Sequence, residues 1–108
     1  MVYRPLPVDI VPEVILTRWL VFEVSSPHWE GRSRHFVGHN VNDGDGRVSS
    51  EIKQFDKEKM IGITRSGRAY HLKGEPAANI DALYVWDVWC NDCKAFDIKD
   101  VSNEYESV

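Results

Sequence analysis

The feature that most constrains this chain is that helical spacing occurs in one stretch, late in the sequence, so the rest of the core must come from strands. From Asn79 to Phe96, the residues Ala82, Val85, Trp86, Trp89, Cys93 and Phe96 fall on one stripe, widened by Leu83 and Cys90. Asp81, Asp87, Asn91 and Lys94 line the opposite side. Asn79 suits the N-cap position, and Asp81 suits the positive first turn. One amphipathic helix laid over a sheet predicts a two-layer α+β domain.

Val14 to Val24 is rich in β-branched and aromatic residues and reads as the first strand. The loop from Ser25 to Ser33 follows, with Trp29 in its middle. Further on, Ser66-Gly67 reads as a two-residue hairpin turn that sets Arg65 opposite Arg68, Ile63 opposite Tyr70 and Ile61 opposite Leu72. A turn at Asp43 to Gly46 sets Val41 opposite Val48 and Val37 opposite Ile52, and one near Lys57-Glu58 sets Ile52 opposite Ile63. These pairings place Val37, Val41, Val48, Ile52, Ile61, Ile63, Tyr70 and Leu72 on one dry face. Phe36, Asn40, Ser49, Glu51, Lys53, Thr64 and His71 then share a wet one. The expected architecture is an antiparallel meander of four or five strands with one C-terminal helix on one face. Residues 1–13 read as an extended arm containing Pro5, Pro7 and Pro12, residues 14–96 as the single domain, and residues 97–108 as a disordered acidic tail.

A length of 108 residues allows one core without disulfide or metal staples. The net charge of −4 is unevenly spread. Arg32 to Lys73 holds nine Lys/Arg against five Asp/Glu, whereas Asp81 to Val108 holds two against seven. Internal complementarity accounts for this most simply; an anionic partner for the basic half is the alternative. No secretory signal or membrane span is read in the sequence, and two cysteines do not make a secreted framework, so a reducing, cytoplasmic setting is expected.

The motifs that could carry chemistry each have a plainer explanation. Cys90-Asn91-Asp92-Cys93 has redox or zinc half-site spacing, but it sits late in the helix, where the dipole opposes a thiolate. His35 and His39 share a strand face, yet lie roughly 13 Å apart, too far to share one ion without a bulge. Both pairs are expected to be structural. Asn40 to Gly46 has the look of a calcium loop, but alignment on Gly46 puts Val41 and Ile52 at the terminal ligand positions, so a hairpin turn fits better. No nucleophile elbow, phosphate loop or paired carboxylate emerges, and no catalytic residue, metal or cofactor is assigned.

Two surface features remain. Arg65 and Arg68, adjacent across their turn, would need a carboxylate or an external anion, and Trp29 is either folded under the domain or an interface anchor. The expected binding residues are Arg65, Arg68, Trp29, His71 and Lys53. The expected function is that of a small non-catalytic domain, a protein-interaction module with an unidentified protein partner and an open route to a homodimer by edge pairing. Nucleic-acid or anion binding through Arg47, Lys53, Arg65, Arg68 and Lys73 is the first alternative, disfavoured for nucleic acid by a pI near 5.5. A small metal-binding protein or enzyme is the other.

The segments Arg34-His35-Phe36-Val37-Gly38, Gly46-Arg47-Val48-Ser49-Ser50, Phe55-Asp56 and Thr64-Arg65-Ser66-Gly67-Arg68-Ala69-Tyr70 resemble a family of short uncharacterised bacterial proteins. Leu72-Lys73-Gly74 and Ala82-Leu83-Tyr84-Val85-Trp86 with Trp89 continue the likeness. The Thr-Arg-Ser-Gly-Arg block is its most specific part. The resemblance implies a shared small domain and carries over no functional residue.

Overall fold

A strand of 13 residues, β1 (Glu13–Ser25), organises the molecule in the computed structural model, which describes residues 12–107. Along its length it pairs antiparallel with β2 (Arg32–Asn40). Its first residues also pair in parallel with β6 (Ala69–Leu72), and its last ones antiparallel with β7 (Phe96–Asp100). The remaining strands are β3 (Asp45–Val48), β4 (Ile52–Asp56) and β5 (Ile61–Thr64), and the sheet order is β3-β2-β1-β6-β5-β4 with β7 joined to β1. Helix α1 (Ile80–Cys93) and a short 3-10 turn at Ser102–Glu104 complete the chain. The class is α+β with one helix, as expected. The sheet, however, is mixed rather than an antiparallel meander, and it has more strands than expected.

A bulge in β1 determines which residues face inward. Arg18 has a left-handed backbone, with φ of 46°, and one extra residue is inserted between Thr17 and Leu20 relative to β2. Val14 and Leu16 face the interior before the bulge; Trp19 and Val21 do so after it. Alternation alone would send one of these pairs outward. The sheet curls around them, so that Phe36 of β2 meets Phe55 of β4 and Tyr70 of β6, with ring centroids 6.1 and 5.6 Å apart. Tyr105 closes one side against both Phe36 and Phe55. Gly62 of β5 makes this possible, since a Cβ there would collide with the Phe36 ring.

A second core forms outside the curl, where α1 covers β1, β2 and β3. Val24, Val37 and Val48 pack there against Ala82 and Trp86, and the Phe22 and Trp86 rings stack at 5.0 Å. Full burial of each large side chain contributes roughly 1.5–3 kcal/mol. Asn79 caps the helix by accepting from the Ala82 N–H at 2.9 Å, and Asp81 lies in the first turn. The helix ends earlier than its apolar pattern suggests. Lys94 turns left-handed, with φ of 54°, and Ala95 N–H closes onto the Cys90 carbonyl.

The hairpin registers differ from the expected ones by turn geometry. Ile63 faces Ala69, Gly62 faces Tyr70 and Ile61 faces His71, because the connection is a three-residue turn, Arg65-Ser66-Gly67, with Gly67 at φ of 89°. That one-residue change turns Thr64 inward and leaves Ile61 and Ile63, expected on the dry face, half-buried, while Tyr70 and Leu72 are buried as expected. Arg65 and Arg68 therefore do not face each other: Arg65 is exposed and Arg68 is buried. In the β2–β3 hairpin Val37 faces Val48 and Asn40 faces Asp45, so Val41 lies in the turn, 47% exposed. Phe36, assigned to the wet face, is in the inner core, because β2 is buried on both sides.

The acidic C-terminal stretch also differs from expectation. It carries β7 and the 3-10 turn, and Val101 and Tyr105 are buried in the inner core. Val21 N–H donates to the Ser102 hydroxyl and Val101 N–H to the Val21 carbonyl, so the stretch is hydrogen-bonded into the fold. The Pro-containing arm, apart from Pro12 and Glu13, lies outside the described residues. Among the described residues no helix is long and apolar enough to cross a membrane.

Candidate functional site

The loop between β1 and β2 is held against the end of α1. The Ser26 hydroxyl donates to the Cys93 carbonyl at 2.7 Å and accepts from His28 N–H, while Gly31, with φ of 73°, leads the chain into β2. Trp29 thereby rests on Trp89 of the helix, with ring centroids 6.1 Å apart. Trp89 in turn packs on His35 at 4.5 Å and stacks on Trp86 at 5.0 Å. Facing this aromatic wall are the Ser50-Glu51 corner and the β5–β6 turn. These are joined by Arg65 N–H donating to the Glu51 carbonyl and Ser66 N–H to the Ser50 hydroxyl. Between the walls lies an open cleft of about 380 Å³, lined by Trp29, Trp89, His35 and Arg65 together with Glu30, Ser33, Ser50 and Glu51.

The expected binding residues are thus divided. Trp29 and Arg65 meet in the cleft. Lys53 reaches its rim through an ion pair with Glu51 at 2.8 Å. Arg68 is buried, and His71 sits away from the cleft lining, bonded through Nε2 to the Glu13 carboxylate at 2.8 Å. Arg47 is also buried, its Nε donating to the Tyr70 hydroxyl at 3.3 Å. The sequence did not mark His35, Ser33 or Glu51 as neighbours of Trp29. Trp89 was recognised as apolar stripe, but its second contact, with the loop, depends on where α1 lies.

His35 has both ring nitrogens engaged. Nδ1 lies 2.9 Å from the Ser49 carbonyl, which can only accept, so Nδ1 carries the proton. Burial lowers the pKa of the ring, keeping it neutral, and Nε2 then accepts from the Ser33 hydroxyl at 2.7 Å. With Nδ1 on the Ser49 carbonyl, Nε2 is the one basic nitrogen of the ring, and it holds the Ser33 hydroxyl, with both side chains buried. His39 is half-buried, and its Nδ1 is buried without a partner among the described residues.

The thiols are quiet. Cys90 and Cys93 are free and half-buried. Desolvation, reinforced by Asp87, pushes the Cys90 thiol up to about 12, and burial together with Asp92 raises that of Cys93. Both are protonated at neutral pH, which suits packing rather than nucleophilic chemistry. Among the described residues, no three of His, Cys, Asp and Glu gather as a metal site would require. A larger cavity, about 440 Å³, lies beside Trp19, Met60, Gly74 and Glu106 but contains none of the expected residues.

Charge complementarity operates inside the molecule. The Glu23 carboxylate accepts from Arg32 Nε at 2.7 Å and Arg34 Nε at 3.0 Å, and these contacts hold its pKa below the usual range. Arg32 continues to Asp97 and Arg34 to Glu104, linking the basic half to the acidic C-terminal stretch. Comparisons with protein-family models, with curated proteins and with solved structures find no match to this chain.

Proposed function

We propose that this domain is a non-catalytic protein-interaction module and that its partner engages the cleft between Trp29, Trp89 and Arg65. The observation that carries the reading is the presence of two half-buried indoles and an exposed guanidinium at one opening. Trp and Arg are the side chains that dominate protein interfaces, where large flat area and directional donors combine at low entropic cost. Trp29 adds a further reason. Its indole Nε1 is buried and has no acceptor among the described residues, a state that costs roughly 1–3 kcal/mol. A partner that draws the loop outward relieves that cost. The protonated thiols of Cys90 and Cys93 support binding over cysteine nucleophile chemistry.

Anion binding draws less support. Of the five basic residues considered for it, Arg47 and Arg68 are buried, leaving Lys53, Arg65 and Lys73 at the surface. Nucleic-acid binding that weakens steeply with salt in a shift assay would restore that reading.

The test is a photo-crosslinking residue placed at Glu30 on the cleft rim, with one at Lys57, exposed and outside the lining, as control. A protein adduct is expected from position 30 alone, and Trp29→Ala should reduce it by at least about tenfold with unchanged far-UV circular dichroism. Adducts that ignore Trp29, or none at position 30, would overturn the proposal.

A further inference from the structure

We propose that Ser33 is a nucleophile primed by His35, and that it takes up an acyl group from an ester entering the cleft beside Trp29 and Trp89. The inference goes beyond the interaction reading and leaves it standing, because it needs one acylation rather than turnover. Ser33 and His35 lie two residues apart on β2, so their side chains share a face of the strand. Ser33 Oγ is 2.7 Å from His35 Nε2, and both residues line the cleft.

The hydrogen bonds around the ring assign a role to each atom. The Ser49 carbonyl, 2.9 Å from His35 Nδ1, fixes the tautomer in which Nε2 carries the lone pair. That carbonyl is itself anchored. Ser49 N–H donates to the Phe36 carbonyl, while the Ser49 hydroxyl accepts from Phe36 N–H at 2.8 Å and donates to the Ser50 carbonyl at 2.7 Å. Packing on Trp89, with centroids 4.5 Å apart, holds the imidazole from the side. A hydroxyl, a base and a group that orients the base are therefore all in place, with a backbone carbonyl in the role a carboxylate more often fills. Trp29 Nε1, without an acceptor among the described residues, and the exposed Arg65 guanidinium add donors to the same lining. Donors suit a carbonyl oxygen that turns negative under attack, which selects an ester over a hydrocarbon. The low exposure of Ser33 and His35, 4% and 3%, restricts the acyl part to a small or flat group. As Ser33 Oγ bonds to the carbonyl carbon, its proton passes to His35 Nε2. The bond from that carbon to the alcohol oxygen then breaks, and the ring returns the proton to the departing oxygen. The acyl group stays on Ser33, and nothing is oxidised or reduced.

The probe is p-nitrophenyl acetate, followed by release of p-nitrophenol and by peptide mass spectrometry. A burst of about one equivalent and a single acetyl group on Ser33 are expected from the unaltered chain. Burial lowers the His35 pKa against the opposing effects of the Ser49 carbonyl and Glu51; Glu30 and Arg65 are the other charged groups lining the cleft. The ring is thus neutral at pH 6.5 and above, so the acylation rate should be level there and decline at lower pH. Ser33→Ala should abolish the adduct, and His35→Gln should slow its formation by about a hundredfold with unchanged circular dichroism. The burst, the site of the adduct and the pH profile are read on the unaltered chain, so they stand even where a variant fails to fold. No protein partner enters this assay, which separates it from the crosslink at position 30. Absence of an adduct at Ser33, or a rate indifferent to His35, would overturn the proposal.

Discussion

The two cores of this domain are built from the same kinds of side chain and differ in closure. The inner one is wrapped by the curled sheet, and Leu16, Trp19, Val21 and Phe36 in it are fully buried. The outer one, between α1 and β1–β3, is open along one side. Trp29, Trp89 and Cys90 there are only half-buried, and the cleft runs into it. Closure buries more apolar surface, so the inner core is where most of the stability should reside. The outer layer keeps aromatic surface within reach of solvent and leaves the Trp29 indole N–H without an acceptor among the described residues. The main source of stability and the proposed recognition surface thus lie on opposite faces of β1 and β2, and each face can be damaged separately.

The strongest way to break that division is Gly62→Val. The new Cβ enters the space of the Phe36 ring, which is fully buried and cannot yield without disturbing Phe55, Tyr70 and Tyr105. A loss of about 3 kcal/mol in denaturant unfolding is expected, with a lower midpoint for every spectroscopic signal together. A loss below about 1 kcal/mol would show that the inner core is looser than its packing implies.

Gly46→Ala should act on the outer layer. Its Cβ would lie 2.5 Å from the Asp81 carbonyl group, so the first turn of α1 must move. Destabilisation of about 2 kcal/mol is expected, with the near-ultraviolet signal of the stacked Trp86 and Trp89 changing before the far-ultraviolet signal of the sheet. If both signals shift in step, the two cores unfold as one unit and the contrast between them is not energetic.

Acidification should give the smallest effect, and it sharpens the comparison because each layer contains a titrating group. Burial holds the His35 pKa below its ordinary 6.5, so in mildly acidic solution the unfolded ring takes up a proton that the folded ring refuses. Stability is complete above that value and falls as pH drops through it. Glu23, depressed below 4.5 by Arg32 and Arg34, contributes stability above that pH and loses it on further acidification. The first decline should be absent in His35→Gln and the second in Glu23→Gln. An unchanged slope between pH 7 and 5 in His35→Gln would show that another group is responsible.

The sequence is most legible where neighbours along the chain decide the structure. The α1 stripe as far as Cys93, its Asn79 cap and the first-turn Asp81 are settled by neighbours within a few residues, although Phe96, counted on that stripe, lies in β7 and is exposed; a strand through Val14 to Val24 follows from its β-branched and aromatic content. The charge asymmetry also had its simplest explanation in part, since Arg32 and Arg34 reach Asp97 and Glu104. Among the hairpins, the readings that failed were those in which one residue of register decides everything; the parallel β1–β6 pairing and the ordered C-terminal stretch depended instead on contacts between distant segments. Ser66-Gly67 looks like a two-residue turn, but Arg65-Ser66-Gly67 is the connection, and Arg68 moves from the surface to the interior as a result. A pattern with period two cannot distinguish these alternatives when both faces of the strand hold apolar residues, as in His35-Phe36-Val37.

The sequence by itself determined that this chain forms a sheet with one amphipathic helix, because hydrophobic period and capping chemistry act over a turn or two of chain. Only the tertiary structure decided that the sheet curls and becomes mixed, that the bulge at Arg18 returns Trp19 and Val21 to the interior, and that Trp29 and Arg65, 36 residues apart in number, share one cleft. The physical reason is that these outcomes depend on close approaches between distant segments, such as Gly62 under Phe36 and Gly46 under Asp81. Such contacts reward a particular register only after both partners are in place.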